Sequence, residues 1–214
     1  MRSLQRLAGC LLLLVAVSSD LLGQFDTEGS QVISYFPQLA DGGPASQHWV
    51  TSLTFVNPHV TLTAYGTVYL YGDDGSPLAL NFGNGAVSIF NFSVPAQGSV
   101  QFTSTGASSS IVTGWAVASS SLPLEGVVQF RVSVNGTPVE AVSALATPAS
   151  QQFRSPATPT TGVAVANVYA SPFSISIAVL DSNGTTVATS AATLPALGHQ
   201  SFNVSQMFPS CVFR

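Results

Sequence analysis

The stretch Val94-Pro95-Ala96-Gln97-Gly98-Ser99-Val100-Gln101-Phe102 returns one hundred residues later as Leu194-Pro195-Ala196-Leu197-Gly198-His199-Gln200-Ser201-Phe202. In both places an apolar residue enters a Pro-x-x-Gly turn and an alternating run leaves it. The flanking apolar residues also alternate, which is the period of a half-buried strand and not of a helix. The chain therefore reads as a degenerate duplication of an all-β unit. Outward from this stretch, Asn57 is answered by Asn167 and Gly75 by Gly184. The offset is about 110 residues at Asn57 and 100 at Pro95, so the first copy carries an insertion of roughly ten residues in 82–91.

Composition sets the class. With 46% hydrophobic and 7% charged residues, the chain can build a core and is not a disordered segment. Arg2 and Arg6 precede an apolar run over 11–17 that is too short to span a bilayer and has the shape of a signal peptide. A helical leader over 1–23 is expected, with cleavage after Gly23 or, alternatively, after Ser19, and export to the cell surface or beyond. Leu7-Ala8-Gly9-Cys10 spells a lipoprotein box but lies before the apolar run, where a processed box would follow it. Beyond the leader, Arg131, Arg154 and Arg214 stand against eight carboxylates, a net charge of −5, and lysine is absent. Three cations cannot neutralise a row of phosphates, so neither nucleic acid nor an anionic membrane surface is an expected partner. No later run is a membrane span, and Cys211, alone after the leader, cannot form an internal disulfide.

Strands are expected at 31–39, 49–56, 60–71, 78–82, 86–94, 98–103, 111–118, 126–134 and 139–145. Turn chemistry separates them, at Asp41-Gly42-Gly43-Pro44, Asn57-Pro58, Asp73-Asp74-Gly75-Ser76, Gly83-Asn84-Gly85 and Asn135-Gly136. Residues 146–161 read as a linker with a short strand near 152–154. The second copy follows at 162–169, 173–180, 186–194 and 200–204, and little helix is expected outside the leader. Leu53, Phe55, Val68, Leu70, Phe102, Trp115, Phe130 and Val132 are the expected core.

Chemistry-bearing patterns are sparse. His48, His59 and His199 are not at ligand spacing from one another or from a carboxylate cluster, so no metal or cofactor is expected. His199, which answers Ser99, reads as an exposed strand position. There is no Gly-x-Ser-x-Gly elbow and no phosphate loop, and the acids mostly fall in turns, so no catalytic residues are assigned and the chain reads as a non-enzyme. Asp73-Asp74-Gly75 and Asp181-Ser182-Asn183-Gly184 read as turns and not as calcium loops. Four Asn-x-Ser/Thr sites begin at Asn91, Asn135, Asn183 and Asn203, but two are Asn-Gly turns, and the lack of lysine with heavy Ala and Gly usage points to a bacterial source. The ligand-binding candidates are Tyr65, Tyr69 and Tyr71, which share one face of a strand with Thr67. In the second copy the opposite face becomes Phe173, Ile175, Ile177 and Val179, a continuous apolar row that marks the core side. The tyrosines therefore face outward, to stack on sugar rings or anchor a protein, unless a loop or the second copy covers them.

The segments Tyr35-Phe36-Pro37-Gln38-Leu39-Ala40-Asp41-Gly42-Gly43, Phe55-Val56-Asn57-Pro58, Tyr71-Gly72-Asp73-Asp74-Gly75-Ser76-Pro77 and Gly114-Trp115-Ala116 resemble uncharacterised secreted bacterial repeat proteins with immunoglobulin-like β-sandwich modules. The resemblance implies surface or secreted binding and spacer units, with no catalytic residues to carry over. The expected fold is thus an immunoglobulin-like antiparallel β-sandwich, a complete unit over 24–149 followed by a partial copy over 150–214. The expected function is non-catalytic adhesion, scaffolding or protein interaction, with carbohydrate binding through the tyrosine row as the alternative. Expected partners are a cell-surface protein or polysaccharide. The second copy lacks the equivalents of 111–118 and 126–134, and its bare sheet edges call for docking on the first copy, a partner strand or self-association, unless the chain is a truncated form of a longer product.

Overall fold

The computed structural model describes residues 11–15 and 31–211. In chain order the strands are β1 (Leu11–Val15), β2 (Val32–Asp41), β3 (His48–Val56), β4 (Ala64–Gly72), β5 (Leu80–Asn81), β6 (Ala86–Val87), β7 (Ile89–Val94), β8 (Ser99–Thr103), β9 (Val112–Ser120) and β10 (Glu125–Val134). They continue as β11 (Thr137–Leu145), β12 (Gly162–Ala166), β13 (Phe173–Leu180), β14 (Thr186–Leu194) and β15 (His199–Asn203), closed by one helical turn, α1 (Val204–Met207). The fold is all-β, with antiparallel sheets arranged as a sandwich.

Two four-stranded antiparallel sheets, ordered β11-β10-β3-β8 and β2-β9-β4-β7, form the larger body. Alternation in each strand supplies one apolar face, and the two faces meet. Leu53, Phe55, Val128 and Phe130 of the first sheet pack on Phe36, Val68, Leu70 and Phe92 of the second. The Phe55 and Phe92 rings stack at 4.4 Å, and Phe36 meets Phe55 edge-on at 5.5 Å. Gly66 lets Phe92 lie against β4, since a Cβ there would fall 2.5 Å from the ring. A smaller core gathers Val163, Val165, Ile175, Leu194, Val204 and Phe208, between the sheet β1-β12-β15 and the pair β13-β14.

The two Pro-x-x-Gly turns have the same geometry. Gly98 N–H donates to Pro95 O at 2.9 Å and Gly198 N–H to Pro195 O at 3.0 Å, while Gln97 and Leu197 take φ of 55° and 53°. Side chains seldom occupy this left-handed region, and here hydrogen bonds hold them in it. Gln97 N–H donates to His59 O and Leu197 N–H to Tyr169 O. Each turn is braced by a fully buried asparagine. Asn57 Nδ2 donates to Leu62 O and Val94 O while its Oδ1 accepts from His59 N–H. Asn167 does the same with Ser171 O, Pro195 O and Tyr169 N–H.

Several expectations are corrected. The leader helix is not what stands at Leu11–Val15: these residues form a strand that runs parallel to β12, Leu11 opposite Gly162 and Val15 opposite Ala166. The rest of the expected leader and both cleavage points lie outside the described residues. β4 starts at Ala64 and not at 60, because the Asn57 amide takes Leu62 O and His59 Nδ1 accepts the N–H groups of Thr61 and Leu62, folding 58–63 into a loop. The strand expected at 78–82 shrinks to Leu80–Asn81, since Asn81 Oδ1 accepts from Gly83 and Gly85 N–H and turns the chain early. No strand forms at 152–154, and α1 was not expected. Of the expected core, Phe102 is only partly buried, and Trp115 is buried outside the sandwich core altogether.

Candidate functional site

The outer face of the β2-β9-β4-β7 sheet is divided in two. Register places Tyr65, Thr67, Tyr69 and Tyr71 of β4 beside Ser93, Asn91 and Ile89 of β7 on one flank, and beside Ser119, Val117 and Trp115 of β9 on the other. The smaller body covers the Tyr71 end. Trp115 is 1% exposed, its Nε1–H donates to Leu197 O at 2.7 Å, and Tyr71 stacks on it at 5.0 Å. Tyr35 lies on the same cluster, 6.3 Å from Trp115. Burial, and then the neighbouring Tyr69 and Tyr169 respectively, push the Tyr71 and Tyr35 phenols above their ordinary range.

A polar clasp closes this seam. Asp73 accepts from Thr113 Oγ1 at 2.6 Å and from the His199 ring at 2.8 Å, and its backbone O accepts from His199 N–H at 3.0 Å. Against the ionised carboxylate, Nδ1 carries the ring proton. His199 is therefore a buried seam residue, 4% exposed, and not the exposed strand position expected from its alignment with Ser99. Gly75 sits against the second Pro-x-x-Gly turn so closely that a Cβ would lie 1.9 Å from Ala196 O.

The carboxylate of Asp73 is held below its usual range first by the His199 hydrogen bond, then by that from Thr113 and the charge of His199, against an opposing desolvation. A depressed folded-state pKa stabilises above the unfolded value, near 4, and the contribution is lost as pH falls through the folded value. The seam is thus expected to loosen below about pH 4. Melting temperatures measured from neutral to acid pH should show part of the acid loss missing in Asp73→Asn.

The other half of the face is open. Tyr65 is 63% exposed and Tyr69 36%, and they stand about 13 Å apart along the strand. Between and beside them lie Thr67, Asn91, Ser119 and Gln31, around a shallow groove of about 570 Å³ with no charged residue in its lining. Thr67 Oγ1 donates to Asn91 Oδ1 at 2.8 Å, and Ser119 Oγ donates to Gln31 Oε1. The groove thus joins two aromatic faces to a floor of hydroxyls and amides, a surface for an uncharged, hydrogen-bonding ligand. Of the three tyrosines read from sequence, the structure brings Tyr65 and Tyr69 together and takes Tyr71 away. Asn91 and Ser119, from β7 and β9, and Gln31, just before β2, were missed because they are distant in sequence, and only strand order makes them neighbours.

Among the described residues no three His, Cys, Asp or Glu side chains gather to hold a metal ion, and no helix is long and apolar enough to cross a membrane. Fold and face together define an all-β, sandwich-like protein with a flat, half-covered aromatic sheet face. No family model and no curated protein matches the chain. Among solved structures, the crystal structure of Thermotoga maritima 1070 overlays at a TM-score of 0.38 and 12% identity, over 56% of this chain and 96% of that chain. A likeness of that size carries no argument.

Proposed function

We propose that the protein is a secreted, non-catalytic module built from an immunoglobulin-like sandwich and a partial second copy, and that it works by adhesion or scaffolding at a cell surface. The observation that carries the reading is the open half-face, where Tyr65 and Tyr69 present their rings to solvent beside a groove whose lining holds no charged residue. Rigid aromatic side chains give contact area at a small entropic cost and anchor many interfaces. Export rests on Arg2, Arg6 and the apolar run that follows them.

A second reading is carbohydrate binding at the same face. Its support is the neutral lining, in which Thr67, Asn91, Ser119 and Gln31 can exchange hydrogen bonds with hydroxyl groups while the tyrosines stack on sugar rings. One experiment separates the two. The protein and its Tyr65→Ala/Tyr69→Ala variant are presented to a cell-surface protein fraction and to a panel of soluble polysaccharides. Each tyrosine removed is expected to weaken binding about tenfold. Loss of a captured surface protein supports adhesion, and loss of polysaccharide retention supports carbohydrate binding. Binding that ignores the substitutions, or no binding to either, overturns the reading of this face.

A further inference from the structure

The two bodies use their strands in corresponding order. β3 and β12 each end on the bracing asparagine, β4 and β13 come next, then β7 and β14, then the Pro-x-x-Gly turn, then β8 and β15. In the larger body β3 is flanked by β8 and β10, and β4 by β7 and β9. In the smaller body β12 is flanked by β15 and by β1, which occupies the flank that β10 takes on β3. β13 has β14 on one side, and among the described residues no strand lies along its other edge, where β9 would stand. In the uncleaved chain, and among the described residues, one strand position is therefore unfilled, and the flank held by β1 shows that this body's sheet edges accept an apolar strand.

The open edge has none of the features that normally protect one. Phe173-Ser174-Ile175-Ser176-Ile177-Ala178-Val179-Leu180 contains no charge, no proline and no glycine, and its bulge falls at the very end, between Val179 and Leu180. Its apolar row belongs to the smaller core, yet Phe173, Ile177 and Val179 are only partly buried. We propose that this edge is a self-association site, where β13 of a second copy adds antiparallel to form one four-stranded sheet, β14-β13-β13-β14, about a two-fold axis.

The strand's own pattern selects a second copy as occupant. In an antiparallel two-fold pair, directly opposite residues share a face, so only registers that match like parity are allowed. With Ser176 opposite Ser176, Ile175 meets Ile177 and Phe173 meets Val179 on the core side, while Ser174 meets Ala178 outside. The apolar row and the small polar row are each self-complementary. Asp181, the nearest charge, falls at opposite ends of the pair. The contact is a single strand edge, well short of the area a standard interface buries, so the dimer should be weak and concentration-dependent.

Sedimentation of the full chain from low to high micromolar concentration tests this. The expected result is a reversible shift from monomer to dimer. Ser176→Lys/Ala178→Lys changes two exposed positions and sets lysine against lysine in the registers centred on Ser176 or Ile177, so this variant should stay monomeric at every concentration with an unchanged melting temperature. Thr189→Lys, exposed on β14 opposite Ala178, should still dimerise. A wild-type chain that is monomeric throughout, a double variant that still associates, or a loss of association in Thr189→Lys would each overturn the proposal. Capture of a different protein along this edge, with no dimer, would do so too.

Discussion

Replacing Gly75 by alanine is expected to part the two bodies. The new Cβ would lie 1.9 Å from Ala196 O, a backbone atom of the second Pro-x-x-Gly turn, and Gly75 has φ +83°, which alanine adopts only under strain. Neither backbone can yield locally. Gly75 N–H is bonded to Gly72 O, and the opposing turn is held by the Asn167 bonds and by Leu197 N–H to Tyr169 O. Relief must therefore come from separation, which removes the Asp73 to His199 hydrogen bonds and uncovers Trp115. The expected loss is about 3 kcal/mol or more, from backbone strain, the lost hydrogen bonds between Asp73 and His199 and an exposed indole together. Thermal unfolding followed by tryptophan fluorescence should show red-shifted emission before the main transition. Gly184→Ala is the control: φ is nearly the same at +81°, but nothing lies within 4 Å, so only the backbone term, about 1–2 kcal/mol, should appear. Equal effects at the two glycines would show that the seam does not bear on stability.

Asn57→Ala should have an effect of similar size in the larger body. The side chain is fully buried and makes three hydrogen bonds to backbone, to Leu62 O, Val94 O and His59 N–H. Alanine removes all three and strands backbone groups at the point where the loop over 58–63 meets the first Pro-x-x-Gly turn. Each buried group left without a partner costs about 1–3 kcal/mol, so a loss of about 3–5 kcal/mol is expected, or roughly 6–20 °C in melting temperature for a chain of this size. Asn91→Ala, which removes only the exposed bond from Thr67, should stay within about 0.5 kcal/mol of the wild type. Calorimetry of the two variants decides whether the buried asparagines are structural braces.

The strand pattern was readable because alternation is local. Phe173–Leu180 and Thr186–Leu194 have the bounds expected from sequence, and the Asn135-Gly136 turn joins β10 to β11 with φ of 50° and 78°. Errors fell where a side chain competes for the backbone, as at His59 with Thr61 and Leu62, or Asn81 with Gly83 and Gly85. Such bonds interrupt a run whose composition still favours a strand.

By itself the sequence determined which residues alternate, where the chain turns, and which side of each strand is apolar, including the outward direction of Tyr65, Tyr69 and Tyr71. Only the tertiary structure decided what lies over the outward side. Trp115 and Tyr71 are covered while Tyr65 and Tyr69 are open, and His199 is buried on Asp73 although its aligned partner Ser99 is exposed. The reason is range. Alternation and turn chemistry act over a few residues, whereas the seam joins Asp73 to His199 across 126 positions and the groove floor is assembled from different strands. No local rule distinguishes an outward residue that meets water from one that meets another part of the same chain.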